Sequence, residues 1–257
     1  MDKWFGNNGL IVNPTKTEFI LFTNQRHRNR FSDIKIGIKG QLIEEKQQVK
    51  ILGVTLTNTL KWDLHTRNVV NGLKYYYRSF SRSCRFLDID TRRLLYNAAI
   101  ASRMGYCDMV WDCCSLKSKT KLQTVQNRCA RRILDRLPGT PSAPLLRRLG
   151  WITLDKKRKL HKCVLVHKIL NNKGPKVLEE MLLPLMVRTN NSTRGARNSC
   201  LSVPSYNTDY VGKSFFIDVA RTWNKIPLEL RNLKNSQTFK EKLQLLLLGG
   251  GSTGPPL

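Results

Sequence analysis

A chain of 257 residues carries 45 lysines and arginines against 18 acidic residues, a formal charge of +27 with an isoelectric point of about 10.2. That length accommodates one large domain or two small ones with real cores, and the ordinary apolar content argues against a disordered basic tail. So lopsided a charge needs a polyanion or counterions to offset its self-repulsion, which makes nucleic acid the leading partner class and a membrane surface the second.

In chain order, "NPTKTEF" (13–19) is a polar turn between apolar runs, with Lys16 in it. Residues 19–56 hold short extended runs, "FILF", "IKIGIKG", "QLIEE" and "VKILGVTL", which predict a small antiparallel sheet with "VKILGV" (49–54) as one strand. Gly53 there suits close backbone approach or a β-bulge. "RHRNR" (26–30) reads as a loop between the first two runs. From Trp62 to about residue 185 the pattern is helical, broken at "LPGTPSAP" and "NNKGP", and Asp88 of "DID" reads as an N-cap. The last third offers an extended run, "CLSVPSY", a helix over "SFFIDVARTWNKIP", and a final helix "TFKEKLQLLLL" opened by the capping pair Thr238 and Glu241. Its apolar residues are too few for a separate core, so this segment is expected to pack back onto the helical middle. "GGGSTGPPL" has nothing to bury and is expected to be mobile. The expected fold class is α+β, mostly α, with a small amino-terminal sheet.

Two helices separate apolar from basic faces. At roughly 100° per residue, Val69, Leu73, Tyr76 and Phe80 share one side of the first, and Arg78, Arg82 and Arg85 the other. On the second, Leu122, Val125, Cys129 and Ile133 oppose Arg128, Arg131, Arg132 and Arg136, with Asp135 the one acid close by. Single-sign, arginine-rich faces favour phosphate contact over a merely solvated surface. A third cluster, "KKRKLHK", brings Lys156, Lys157 and Arg158 to the start of a helix, where basic charge opposes the dipole and so hints at function.

Catalytic signals are missing. The acidic residues stand singly or in "EE" pairs, no serine or cysteine sits in a nucleophile signature, and no glycine loop resembles a phosphate cradle. The seven cysteines form no C-x-x-C pair, and His161 and His167 lie at no ligand spacing from Cys107, Cys113, Cys114 or Cys129, so no zinc site is expected. Cys129 and Cys163 fall on apolar stripes and read as small hydrophobes. With no signal-peptide pattern and no run long enough to span a bilayer, reduced thiols in the cytoplasm or nucleus are the expectation.

Several segments, in order, carry a resemblance. "WFGNNGLIVNPTKTEFILF" is similar to a W-x-x-x-N-x-L-x-x-N-x-x-K-T stretch, "VKILGVTLTNTLKWDLHTRNV" to an L-G-V strand followed by L-x-W-x-x-H, and "DVARTWNKIP" to a closing W-N-x-L/I-P. "GYCDMVW", "LQTVQNRCARRIL" and "LGWITLDKKRKLHKCVLVHKILNNKGP" resemble stations between them. The whole resembles the carboxy-terminal part of the reverse transcriptase of non-LTR retrotransposons, the LINE-type elements of the jockey kind, over residues 4–248.

The resemblance implies a palm remnant at 1–61, a helical thumb-like region at 62–137, a helical linker region at 138–248 and a tail at 249–257. It implies that Lys16 lies near the incoming nucleotide's phosphates and that Leu52 and Gly53 belong to the strand beside the primer. In that family the metal-binding aspartates belong to a motif just upstream of the matching stretch. The expectation is therefore a chain with no catalytic residue, metal site or cofactor of its own, Mg2+ belonging to the intact enzyme. It would bind RNA and DNA non-specifically through backbone charge. A host-used basic binding or scaffold protein derived from such an element, or an unexpressed relic, are the alternatives.

Overall fold

The computed structural model describes residues 2–23, 25–31, 34–38, 40–187 and 200–249. The tail from residue 250 and the start of the family-like closing segment, up to residue 199, lie outside the described residues. The fold is α+β and mostly α, in two compact units, Met1–Asn68 and Val69–Leu257.

In the first unit a short helix, α1 (Asp2–Asn7), precedes a single 3-10 turn at Pro14–Lys16. Asn13 caps that turn: its Oδ1 accepts from the Thr15 N–H at 3.0 Å and from the Thr15 hydroxyl at 2.7 Å. Asparagine followed by proline gives this turn on local chemistry alone. "RHRNR" falls in a 3-10 segment, Gln25–Phe31, and Arg28 pairs with Glu45 at 2.8 Å.

The strands form two separate antiparallel hairpins. β1 (Ile36–Ile38) pairs with β2 (Gln41–Ile43), and β3 (Gln48–Ile51) with β4 (Val54–Thr57). "FILF" is not a strand; Phe19 makes one isolated bridge to Glu45. "VKILGV" is not a single strand either. Leu52 and Gly53 are the two-residue loop between β3 and β4, with φ of +46° and +84°. Positive φ at both loop positions is what a hairpin turn matching the strand twist requires, and glycine adopts it without strain. The glycine therefore reverses the chain, and the expected primer-side strand is a hairpin tip.

His65 ties the hairpin to the helix that follows, α2 (Asp63–Ser83). Its Nδ1 accepts from the Thr55 N–H on β4 at 3.2 Å, and burial lowers its pKa.

The second unit is helical. α3 (Ile89–Tyr96) is capped by Asp88, whose carboxylate accepts from the Thr91 N–H, and runs through a π turn at Asn97–Ala101 into α4 (Ser102–Gly105). α5 (Leu116–Ile133) buries Leu122, Val125, Cys129 and Ile133 as its period predicts. α6 (Ser142–Arg148), α7 (Leu154–Leu170) and α8 (Lys176–Val187) follow. Gly174 lies so close to α7 that a Cβ there would stand 2.4 Å from the Ile169 side chain and 2.9 Å from its Cα. Residues 200–206 form no strand; instead the Asn224 amide brackets Leu201, accepting from its N–H and donating to its carbonyl, each at 2.8 Å.

α9 (Phe215–Asn224) and α10 (Ser236–Gly249) pack on α7. α10 begins earlier than "TFKEK" suggests. Asn235 caps it, accepting from the N–H groups of Gln237 and Thr238, while Glu241 bonds the Gln237 amide. Leu160, Cys163, Val166 and Ile169 of α7 join Val219, Trp223, Phe239 and Leu243 in one core. Trp223 and Phe239 are fully buried there.

Candidate nucleic-acid interface

Several of the basic residues turn inward, because helix ends and buried carboxylates need cations. The first four N–H and last four C=O groups of a helix lack intrahelical partners, and a guanidinium or ammonium near the carbonyl end satisfies them while opposing the dipole. Arg132 does this for α2, donating from Nε at 3.0 Å and Nη2 at 2.8 Å to the Ser81 carbonyl. Arg92 does it for α5, donating to the Ile133 carbonyl at 2.9 Å and pairing with Asp135 at 2.6 Å. Lys156 does it for α10, donating to the Leu247 carbonyl at 2.6 Å. Arg131 holds the Thr140 carbonyl at 2.8 Å, in the loop after α5.

The "KKRKLHK" cluster has the clearest internal role. Asp112 accepts from Arg158 at 2.6 Å, stands 3.1 Å from Lys119 and also holds Lys162, which reaches on to Asp218 of α9 at 2.5 Å. The Arg158 and Lys162 side chains are each only 3% exposed. Burial alone would push the Asp112 carboxyl up, yet Lys162 above all, with Lys119 and Arg158, brings it down to about 2. His161 Nδ1 stands 2.8 Å from the Asp108 carboxylate, and Lys159 pairs with Asp155 at 3.1 Å. Of the expected phosphate contacts, Arg158 is sealed in the core, and Arg131, Arg132 and Lys156 are committed to carbonyls. Apart from Lys157, the basic start of α7 binds the protein's own acids and backbone.

The α2 face is different. Arg78, Arg82 and Arg85 are exposed, and among the described residues none has a carboxylate within ion-pair distance. They line an open groove of about 570 Å³ with Tyr75, Tyr77, Ser79 and Ser81. Tyr75 is 70% exposed, and Phe86, next to Arg85, is 87% exposed. The helix is fixed from behind: Leu73 and Phe80 are buried, Arg132 clamps its last turn, and the Arg103 guanidinium sits 3.6 Å from the Tyr76 ring centroid. Arginines at i and i+4 with exposed aromatic rings beside them are the residue types that can neutralise phosphates and stack against bases. The arginines were legible from the helical period. The tyrosine and phenylalanine were not singled out, though "YYYR" carries the signal.

Other candidates are dispersed. Arg128 and Arg136 are exposed on and just beyond α5, Lys16 is exposed on its 3-10 turn, and half-buried Lys157 lines a second pocket. Leu52 and Gly53 are exposed at their hairpin tip. Among the described residues no group of three or more His, Cys, Asp or Glu side chains is placed to hold a metal, and no helix is long and apolar enough to cross a membrane. Cys129 and Cys163 are buried; burial pushes both thiols up, Cys163 to about 12, which keeps them protonated.

No protein-family model matches this chain, and no curated protein or solved structure matches it.

Proposed function

We propose that the protein binds single-stranded RNA and DNA without sequence preference, as the closing palm and thumb-like region of a reverse transcriptase of the non-LTR retrotransposon kind. The observation that carries the binding reading is the groove along α2 and the 3-10 turn Cys84–Phe86 that follows it, where Arg78, Arg82 and Arg85 stand exposed with Tyr75 and where exposed Phe86 follows Arg85 in the chain. Guanidinium groups displace counterions from phosphates without reading bases, and exposed rings accept any base on their faces. The order of family-like segments from Trp4 to the W-N-x-I-P of α9 supports the assignment to that enzyme region. Lys16 belongs to the other unit and counts here only toward general charge, while Leu52 and Gly53 at the hairpin tip carry none.

The test is fluorescence anisotropy of labelled single strands over a range of salt. If Arg78, Arg82 and Arg85 each neutralise one phosphate, the triple alanine variant loses about two units of salt slope, at roughly 0.7 per contact. Tyr75→Ala lowers affinity with the slope unchanged, because stacking releases no counterion. Unchanged slope in the triple variant overturns the reading.

A further inference from the structure

A second basic concavity shares no lining residue with the α2 groove: a pocket of about 480 Å³ bounded by α3, the turn at 149–152, α7 and α10. Its cations come from three separate helices, Arg93 from α3, Lys157 from α7 and Lys240 from α10, and no aspartate or glutamate lines it. Arg93 is barely committed, with one amino group 3.5 Å from the Leu149 carbonyl and the other 3.6 Å from Asp90. Among the described residues neither Lys157 nor Lys240 has a carboxylate within ion-pair distance. Asp108, the acid nearest in influence to Lys157, is already engaged by His161. Burial lowers the pKa of the Lys157 ammonium, Asp108 partly restores it, and the charge of Lys240 lowers it again. The protein has therefore half-buried one ammonium and set another cation against it, an arrangement that costs free energy until an anion enters.

This convergence differs from the Asp112 network, where cations from α5 and α7 meet carboxylates already present. One wall is aromatic. Trp151 stacks on Tyr96 with ring centroids 4.1 Å apart and planes 23° from parallel, and both line the pocket. Its volume falls in the range of small-molecule sites, which combine apolar walls with a few convergent polar groups.

We propose that this pocket binds the phosphate of a nucleotide, free or at a strand end, between Lys157, Lys240 and Arg93, with Trp151 as the wall for its sugar or base. A dianionic phosphate offers acceptors to all three cations at once, and charge-assisted bonds of this kind are the strong ones. The assignment goes beyond the α2 surface. It rests on the nucleic-acid reading only for the choice of a nucleotide as the phosphate's carrier.

The experiment is isothermal titration calorimetry on the full chain at low salt. The probes are inorganic phosphate, a nucleoside 5′-monophosphate, the unphosphorylated nucleoside, and a short single strand with and without a 5′-phosphate. The monophosphate is expected to bind and the nucleoside not. Lys240→Ala and Lys157→Met, the latter keeping the apolar stem, each weaken the monophosphate about tenfold, the loss of one charged hydrogen bond. Tighter binding of the 5′-phosphorylated strand than of its hydroxyl counterpart assigns the site to strand ends; equal binding of the two assigns it to free nucleotides. No binding of the monophosphate, or binding unchanged in Lys240→Ala, overturns the proposal; exposed Lys240 decides the matter if Lys157→Met does not fold. Should single strands fail to bind while the monophosphate does, the α2 reading falls and this one stands.

Discussion

The imidazole of His167 stacks on the ring of Phe239, with centroids 4.3 Å apart and planes 16° from parallel. His167 is fully buried, and its Nε2 donates to the Leu233 carbonyl while Nδ1 accepts from the Ser236 hydroxyl at 3.2 Å. The carbonyl partner requires the proton on Nε2, burial favours the neutral ring, and the two contacts join α7 to the start of α10. Trp223 of α9 leans on the same Phe239, at 5.8 Å between centroids, so one phenylalanine holds three helices together.

A pH dependence follows from that stack. Burial lowers the His167 pKa below its ordinary 6.5, opposed by the bond to Leu233 and assisted by the charge of Lys173. His65, in the other unit, is lowered by burial as well. A group whose folded pKa is depressed favours the folded state in its neutral form. Its contribution is complete above about pH 6.5, the unfolded value, and is lost as pH falls through the lower folded value. Thermal midpoints should therefore be flat from pH 8 to 7 and decline from pH 6.5 toward 5. His167→Gln should lower the midpoint at pH 8 and flatten the decline. A decline of wild-type steepness in that variant would assign the effect elsewhere.

Asp112 is the anion on which three cations depend. Asp112→Asn keeps the shape but leaves buried Lys162 with Asp218 alone and buried Arg158 with no carboxylate partner among the described residues. Removing one partner of a buried ion pair costs about 3–5 kcal/mol, whereas exposed pairs such as Lys159 with Asp155 contribute about 1 kcal/mol or less. Urea unfolding should show the large loss for Asp112→Asn and almost none for Asp155→Asn. Similar midpoints for the two would mean that the network holds nothing together.

The helical periods of α2 and α5, the polar turn at 13–19, the cap at Asp88 and the mostly α fold class were legible in the sequence, because each depends on residues within a turn or two. What was hidden depends on residues far apart. Arg158 reads as one cation in a basic run, and only the placement of Asp112, 46 positions earlier, turns it into a core residue. Arg132 looks like part of a free face until the last turn of α2 arrives beside it. Net charge is a property of composition; which charges remain for a partner is decided by tertiary contacts. The hairpin at Leu52 and Gly53 was misjudged for a local reason, since leucine is a poor signal for a residue with positive φ.

That misfit is itself testable. A left-handed backbone costs an ordinary L-residue about 1–2 kcal/mol, and asparagine before glycine is the preferred pair in such a turn. Leu52 is 84% exposed, so little packing is lost on replacing it. Leu52→Asn should raise stability by about 1 kcal/mol, and Gly53→Ala should lower it, as read by amide exchange of the β3–β4 hairpin. Faster exchange in Leu52→Asn would contradict the turn assignment.

Arginines that look alike in sequence should separate in solution. Arg82→Ala removes an exposed charge from the α2 groove, and Arg132→Ala removes the clamp on the Ser81 carbonyl. The first should leave the thermal midpoint unchanged and reduce the salt slope for single strands by about 0.7. The second should cost about 1–3 kcal/mol of stability, the penalty for a charged hydrogen bond lost and a carbonyl left unsatisfied. Equal effects on both readouts would mean that surface and structural arginines are not distinct in this protein.

Trp223 gives the sharpest test of how the carboxy-terminal segment is held. It is 1% exposed and shares a core with α7 and α10, so its indole packs on side chains contributed by distant parts of the chain. Trp223→Ala removes that contact area and leaves a cavity that rigid helices fill only in part, which costs about 3–5 kcal/mol. Because Trp223 leans on Phe239 of α10, the loss should spread: α10 should open with it and expose the chain near Phe239 to protease. Limited proteolysis of wild type and variant at matched temperature checks this. If the variant were cut only within α9, with α10 protected as in wild type, then α10 would be held by α7 alone and the shared core would be two independent contacts.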